Sequence, residues 1–425
     1  MSKSDKFPEF WFDSKKSVYW LKLDSGQYIA LSSREVISHL RFREISGLDK
    51  ESSYGLKQWD RELVLCRENR SVDYAGPLAG HPIGLFVTQS GQRILVTSAP
   101  NTITPARGEC PRWEQFLSEL LPGEQSTRFL LWLKMRLESL RARDWRPGQL
   151  IVLAGPSGCG KSFLQCLLTE VFGGRMARPY SYMIKETAFN SHIAGAEHLV
   201  IADEQSSLDI RKRIAFGEAI KDLLVNADIQ IHAKGRDISV TVPTFRAFDL
   251  SVNDEPERLA ILPPLDSSLT DKITLFRCHP AKVGADRAAT WKAFTKEIPA
   301  LLWTLDKLKV PRDMRSDRYG VQEYHDPDLL ETVSEISPEA RLCTLIDEVV
   351  FKGDKIAPDG VWEGPSIELE RVLRGSSFAF AVDKVLSFGS ACGTYLARLQ
   401  SKQPGRFHKY VNKGKTHWTI RKGEK

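Results

Sequence analysis

Residues 155–162 are the strongest candidates in this sequence for ligand binding or catalysis. They form an octet of mostly small residues that ends in a lysine and a serine. It follows the apolar run 149–154 and precedes the helix-forming run 163–172. Its glycines let backbone N–H groups converge on a phosphate, and the helix N-terminus adds partial positive charge. Its residues are Gly155, Pro156, Ser157, Gly158, Cys159, Gly160, Lys161 and Ser162. The alternative is a chance glycine-rich turn, but the strand–loop–helix setting predicts an ATP-binding phosphate loop.

The chemistry expected of this loop is phosphoryl binding and Mg²⁺ coordination. Lys161 can reach the β and γ phosphates, and the Ser162 hydroxyl can ligate Mg²⁺. A second apolar run, 199–202, ends in Asp203 and Glu204. Asp203 is expected to hold the shell of the magnesium ion, and Glu204 to polarise the attacking water. The alternative for these two acids is an ordinary exposed strand end.

The segment after Glu204 predicts a helix over 214–225 and then a hairpin. Strand-like runs 229–233 and 238–242 enclose a turn that contains Lys234 and Arg236. A further strand, 245–252, ends in Asn253, whose amide can orient the attacking water or contact the γ phosphate.

These segments together resemble a known family. GPSGCGKS, LVIADE, IQIHAKGRDISVTV and FDLSVN have the order and spacing of motifs A, B, B′ and C of superfamily 3 helicases, especially the helicase parts of phage and plasmid primase-helicase proteins. The resemblance covers about residues 110–330 and is slight for the first hundred. It implies a AAA+-type ring, a homo-oligomer expected to be a hexamer. Such a ring hydrolyses ATP and moves 3′ to 5′ on single-stranded DNA in its central channel.

The resemblance also assigns roles outside the phosphate loop. It places the hairpin in the channel, so that Lys234, Arg236 and His232 contact DNA, and a basic tip can follow phosphates without reading sequence. A solvated turn is the alternative. The position that matches the family's trans-acting arginine is Lys272, which lacks the planar fork of arginine. Arg258 and then Arg277 are the next candidates, and a surface ion pair is the alternative for all three.

The C-terminal end of the chain is strongly basic. The whole chain has 60 Lys and Arg against 54 Asp and Glu, a net charge of +6, but residues 398–425 alone carry +8. Helical runs 341–350, 366–373 and 390–400, followed by strand-like runs 407–411 and 416–421, predict a winged helix that binds duplex DNA. Phosphate contacts are expected from Lys409, Lys413, Lys415 and Arg421. The alternative is a small basic domain that packs on a neighbour.

The 425 residues are enough for two to four domains. We predict an α/β protein with four parts: a mixed α+β accessory domain (1–110), a helical collar (111–147), a AAA+-type P-loop ATPase and helicase core (148–335), and a winged-helix-like domain (336–425). The first part shows no paired-carboxylate site for priming. A separate primase is therefore the expected partner.

Composition excludes several classes of protein. Apolar residues make up 42% and charged residues 27%, as in ordinary globular proteins rather than disordered or fibrous chains. No apolar run approaches the roughly 18 residues of a membrane helix, so no membrane partner is expected. The seven cysteines form no C-x-x-C pair, which disfavours a disulfide framework or a zinc site. A cytoplasmic location is expected.

The function predicted from these features is an ATP-dependent DNA helicase of a phage, plasmid or other mobile element that serves replication initiation. Two alternatives stay open. One is a AAA+ remodelling or defence ATPase that acts on a protein client. The other is a DNA-binding module switched by ATP, in which the change Glu204→Gln would leave function intact.

Overall fold

The structure is a computed structural model that describes most of the chain. The described residues are 8–43, 48–51, 55–202, 210–226, 228–232, 240–263, 265, 267–352, 357, 359–412 and 414–423. Five of the predicted site residues lie outside them: Asp203, Glu204, Lys234, Arg236 and Lys413. The chain divides into two units. The first comprises 1–204, 215–254 and 266–325, and the second comprises 205–214, 255–265 and 326–425.

The first unit begins with two small sheets. One has the strand order β3-β2-β1-β4 and packs one face on α1 and α2, and the other has the order β5-β7-β6. Helix α1 begins with a capping box, in which the Glu35 side chain accepts from the Ser32 N–H at 2.7 Å. The elements are β1 (Phe10–Asp13), β2 (Val18–Lys22), β3 (Tyr28–Leu31), α1 (Ser33–Phe42), α2 (Gln58–Asn69), β4 (Ser71–Val72), β5 (Tyr74–Gly76), β6 (Gly84–Val87) and β7 (Arg93–Val96).

Two helices, α3 (Pro111–Leu120) and α4 (Glu124–Ala142), follow and lead to a parallel sheet. This sheet has the order β14-β8-β13-β10-β9, and all its neighbouring strands are parallel. The elements from β8 to α10 in chain order are β8 (Leu150–Ala154), α5 (Lys161–Val171), β9 (Met176–Ala177), α6 (Tyr180–Met183), α7 (Ser191–Ala194), β10 (His198–Ala202), α8 (Ile210–Val225), β11 (Asp228–Ile231), β12 (Val240–Pro243), β13 (Ala247–Val252), α9 (Pro256–Leu259), β14 (Ile273–Arg277) and α10 (Arg287–Lys307). Strands β11 and β12 form a separate pair, and α9 belongs to the second unit.

The central strands of this sheet are covered on both faces. All residues of β8 and β13 are buried, as expected for near-continuous apolar runs in a parallel sheet. Helices α3, α4, α5 and α10 contribute to one core with β8, in which Trp113, Phe129 and Phe172 are almost fully buried. This core fixes the position of the loop between β8 and α5.

The second unit contains five helices and a three-stranded antiparallel sheet of order β15-β17-β16 in its described C-terminal part. Trp418 and Phe407 of this sheet pack with Leu369 and Tyr395 of the helices. The elements are α11 (Pro327–Glu335), α12 (Pro338–Ile346) with a π-helical turn (Asp347–Phe351), β15 (Val361–Gly364), α13 (Ser366–Arg374), α14 (Ala379–Val385), α15 (Ala391–Lys402), β16 (Phe407–Asn412) and β17 (Lys415–Arg421). No helix within the described residues is both long and apolar enough to span a membrane.

Candidate active site

The predicted phosphate loop lies between the C-terminal end of β8 and the N-terminal end of α5. Gly158 and Gly160 have φ angles of +77° and +115°, in the left-handed region that favours glycine. A Cβ atom on Gly155 would lie 2.3 Å from the carbonyl oxygen of Cys278. The loop therefore needs glycine at these three positions for its backbone path.

Lys161 is the charged centre of the loop. Its Nζ donates hydrogen bonds to the carbonyl oxygens of Gly155 at 2.7 Å and Pro156 at 2.9 Å. It also donates to Oδ1 of Asn253 at 3.3 Å. Strand β13, which ends just before Asn253, pairs directly with β8. The structure thus brings together two predicted site residues that are 92 positions apart in the chain.

A cavity of about 950 Å³ opens beside the loop. One wall consists of loop and α5 residues, including Gly158, Lys161 and Ser162, with Asn253 at the edge. The opposite wall comes from the segment that follows β14 and from the first turns of α10. This volume is at the upper end of the range for small-molecule sites, roughly 300–1,000 Å³. Converging backbone, a lysine ammonium, a serine hydroxyl and a cavity of this size fit a nucleoside triphosphate.

Only part of the predicted magnesium site falls on described residues. Ser162 lines the cavity, whereas Asp203 lies outside the described residues, directly after β10. Within the described part of the chain, no group of three or more His, Cys, Asp or Glu side chains could hold a metal ion. A Mg²⁺ ion carried in with nucleotide phosphates does not need such a group, since it keeps several waters.

Two cysteines modify the electrostatics of the loop, and the sequence did not predict their pairing. A hydrogen bond from the Cys278 thiol lowers the pKa of Cys159 to about 6, against burial, with help from the Lys161 ammonium 3.8 Å away. Burial raises the pKa of Cys278 itself. The lowered pKa favours the charged form of the Cys159 thiol beside the Lys161 ammonium.

A buried chain of polar side chains braces α5 against the sheet. Asp249 of β13 accepts from Gln165 Nε2 at 2.5 Å and contacts His198 Nε2 at 2.5 Å, and the other ring nitrogen of His198 lies 2.9 Å from Thr169 Oγ1. Gln165 also donates to the carbonyl oxygen of Ile201 at 3.2 Å. The brace ties the phosphate-binding helix to β10, the strand that leads to Asp203. Its sequence signal is the presence of polar residues inside otherwise apolar strands.

Strands β11 and β12 form the antiparallel pair predicted as the hairpin. Its tip, including Lys234 and Arg236, lies outside the described residues. Asn190, which is fully buried, holds the end of β11 by three hydrogen bonds. Its Oδ1 accepts from the His232 N–H at 2.7 Å, its Nδ2 donates to the Gln230 carbonyl at 2.7 Å, and its own N–H donates to the His232 carbonyl at 3.0 Å. These contacts give Asn190 a packing role at the end of β11.

The candidates for the trans-acting cation differ in their surroundings. Lys272 is 8% exposed, and its Nζ lies 2.7 Å from Asp271 Oδ1. Arg258 is exposed on α9, in the second unit. Arg277 is half-buried at the end of β14. Of these three residues, Arg258 therefore presents the more accessible charge.

Within 398–421, the described Lys and Arg residues fall into two groups. Arg398 and Lys402 of α15 both face Glu339, at 3.7 Å and 3.1 Å, and Arg406 pairs with Asp347. The predicted phosphate-contacting residues Lys409, Lys415 and Arg421 are instead exposed on β16 and β17. In this stretch, the cations of the strands are therefore accessible, whereas Arg398 and Lys402 of α15 face an acid of their own unit.

Comparison with known proteins yields structural neighbours only. No family model matches the chain, and no curated protein matches it. Two apo structures of the NrS-1 C-terminal region superpose with TM-scores of 0.57 and 0.55, at 16% and 15% identity, over 98% of this chain and 96% of theirs. A JCV helicase structure reaches a TM-score of only 0.26 at 11% identity, over 55% of this chain and 61% of that one. The chain therefore shares a fold with the NrS-1 region along almost its whole length.

Proposed function

We propose that this protein is an ATP-dependent DNA helicase of a phage, plasmid or other mobile element, which unwinds DNA in replication initiation. The observation that carries the proposal is the meeting of Lys161 with Asn253 at the mouth of the cavity. A lysine for the phosphates and an amide for the attacking water are what ATP hydrolysis requires at this position. In the parallel sheet, the strand that leads to Asn253 (β13) lies between the strand that leads to the phosphate loop (β8) and the strand that leads to Asp203 (β10). This strand order supports the AAA+-type core implied by the motifs.

The chain's own residues would bind and orient ATP. Lys161 would exchange its bonds with the loop carbonyls for bonds with phosphate oxygens, and Ser162 with Asp203 would hold Mg²⁺. When bound, Mg²⁺ would neutralise charge on the β and γ phosphates. Glu204 would accept a proton from the attacking water, and Asn253 would orient that water.

Movement on single-stranded DNA is assigned to the hairpin of β11 and β12. Lys234, Arg236 and His232 are proposed to contact the DNA backbone inside the channel of a homo-oligomeric ring, expected to be a hexamer. The clamp formed by the three hydrogen bonds of Asn190 to the end of β11 supports this role, because a segment that pulls on DNA must be anchored firmly at its base. A basic tip also suits contacts that ignore base sequence.

The second unit is proposed to bind duplex DNA as a winged helix. The order α12, β15, α13, α14, α15, β16, β17, with β15 paired to β17, supports this assignment. Lys409, Lys413, Lys415 and Arg421 would contact phosphates. A separate primase would supply priming, and the setting would be the cytoplasm.

The test of this function is ATP hydrolysis by the full chain with and without single-stranded DNA. We expect single-stranded DNA to raise turnover, and Lys161→Ala to abolish it, because the lysine contacts only loop and Asn253 atoms and is not needed for the core. If Lys161→Ala abolishes ATP turnover but single-stranded DNA does not change the turnover of the unmodified protein, an ATPase with a protein client is favoured instead.

A further inference from the structure

The cavity beside the phosphate loop extends beyond the residues that can bind phosphates. Helix α5 carries Phe163 and Cys166 into its lining, and at a rise of about 1.5 Å per residue Cys166 lies roughly 7.5 Å along the helix from Lys161. Val283, Ala288 and Trp291 line the facing wall. These side chains form an apolar and aromatic part of the lining, whereas Lys161, Ser162 and Asn253 form a polar part.

Trp291 is held at the edge of an aromatic cluster. Its ring meets Phe163 at a centroid distance of 6.3 Å and an interplanar angle of 75°. Phe163 in turn packs edge-to-face on Phe116 at 5.6 Å and on Phe294 at 5.1 Å. Trp291 is half-buried and still lines the cavity. The cluster therefore orients the indole while part of it remains accessible to a ligand.

The charge of the lining also selects for a particular ligand. Arg287, the first residue of α10, and Lys161 both line the cavity, whereas no acidic residue is found among the described residues that line it. A ligand that combines a polyphosphate with a flat aromatic ring matches both the cationic and the aromatic parts of this lining. Purines offer the larger ring face for stacking, and stacking needs no particular hydrogen-bond pattern.

We propose that Trp291 is the base-stacking residue of a purine nucleotide site, with the base on the indole and the phosphates in the 155–162 loop. This inference rests on the proposed ATPase function and names the part of the ligand that the loop itself does not recognise. No motif of the sequence includes Trp291, because it lies 130 residues after Lys161 and reaches the cavity only through the packing of α10 on α5.

Calorimetric titration of the full-length protein with ATP and with inorganic tripolyphosphate separates the base from the phosphates. We expect Trp291→Ala to weaken ATP binding about tenfold, and Trp291→Phe to restore most of it, as for loss and recovery of one stacked ring. Tripolyphosphate binding should stay unchanged in both variants. Trp303→Ala is the matched control, since Trp303 lies on the same helix under the Lys307 ammonium, outside the cavity lining.

Alkylation of Cys166 gives a second measurement on the same proteins. Cys166 is an exposed free thiol in the cavity lining, so ATP should slow its reaction with a maleimide more than tripolyphosphate does. Equal ATP affinity in Trp291→Ala and the unmodified protein would overturn the stacking role and leave the ATPase proposal intact. Equal losses of ATP and tripolyphosphate binding would also overturn it, since the loop itself would then be damaged. An unmodified protein that binds no ATP would refute both proposals.

Discussion

The charge of Lys272 is already used within its own subunit. Its ammonium contacts Asp271, which also accepts a hydrogen bond from the Tyr319 hydroxyl at 3.1 Å. Burial opposes ionisation of Asp271, but the hydrogen bonds from Lys272 and Tyr319 outweigh it and lower the pKa of Asp271. A lysine held in this way is poorly suited to reach a neighbouring subunit, so these contacts favour Arg258 as the trans-acting cation.

We therefore expect Arg258→Ala to reduce ATP turnover by about a thousandfold, at the lower end of the range for a lost arginine finger, while ATP affinity is kept. Lys272→Ala should chiefly lower thermal stability, because it leaves Asp271 without its nearest cation. Steady-state hydrolysis, calorimetric ATP binding and thermal melting of the two variants distinguish these effects.

Mixing of inactive subunits provides the control for a role in trans. Arg258→Ala subunits mixed with Lys161→Ala subunits should regain part of the lost turnover. Some interfaces between neighbouring subunits, or seams, then combine an intact lysine from one subunit with an intact arginine from the other. If the mixture stays as inactive as its components, Arg258 does not act across a seam.

Individual site residues differ in how far the sequence alone could identify them. Lys161 belongs to the octet that follows one apolar run, and Asn253 directly follows another. Because β8 and β13 are adjacent strands, the structure places Lys161 Nζ 3.3 Å from Asn253 Oδ1. The partnership of Cys159 with Cys278 had no comparable signal, because it depends on β14 lying beside β8. Contacts of this kind depend on strand order, which local patterns do not encode.

Asn190 connects the hairpin of β11 and β12 to the rest of the first unit. We expect Asn190→Ala to abolish stimulation of ATP hydrolysis by single-stranded DNA while basal hydrolysis changes by less than about threefold, since the buried amide bonds lost are all to the hairpin base. The measurement is turnover at increasing concentrations of a DNA oligonucleotide.

Phe189→Ala is the matched control for this prediction. Phe189 precedes Asn190 but is 41% exposed, so its removal should leave the hairpin base intact. Full DNA stimulation in Asn190→Ala would show that the hairpin does not depend on this clamp.

Lys409 and Lys415 are exposed on strands β16 and β17 of the second unit. We expect Lys409→Ala combined with Lys415→Ala to weaken duplex DNA binding and to reduce the salt dependence of log K by about 1.8, or about 0.9 for each lost phosphate contact. Lys384→Ala is the control, because Lys384 belongs to α14 and lies over the Phe380 ring at 4.4 Å. Fluorescence anisotropy titrations at several salt concentrations measure the slope of log K against the logarithm of the salt concentration. An unchanged slope would contradict the proposal that β16 and β17 contact DNA phosphates. Basal ATP hydrolysis should be unaffected.

The elements with strong local signals were predicted well. Strand β8 with helix α5 and the pair β16 and β17 form where patterning and turn residues indicate them. Strand β15 was missed because it has four residues and its partner β17 begins more than fifty positions later. A strand this short is defined by its pairing and not by its own residues.

The two units of the molecule are discontinuous in sequence. Segments 205–214 and 255–265 belong with 326–425 and interrupt the first unit. Domain boundaries drawn along the sequence cannot describe discontinuous units of this kind, because such units depend on which residues pack together. The basic C-terminal end shows a similar effect, since Arg398, Lys402 and Arg406 are engaged by acids of their own unit.

The protein as a whole is proposed to convert ATP hydrolysis into strand separation, and this can be measured directly. A forked DNA with a fluorescent strand, incubated with the full chain and ATP, should release that strand, whereas Lys161→Ala or omission of ATP should give no release. Active ATP hydrolysis without strand release on forks of either tail polarity would contradict the helicase assignment.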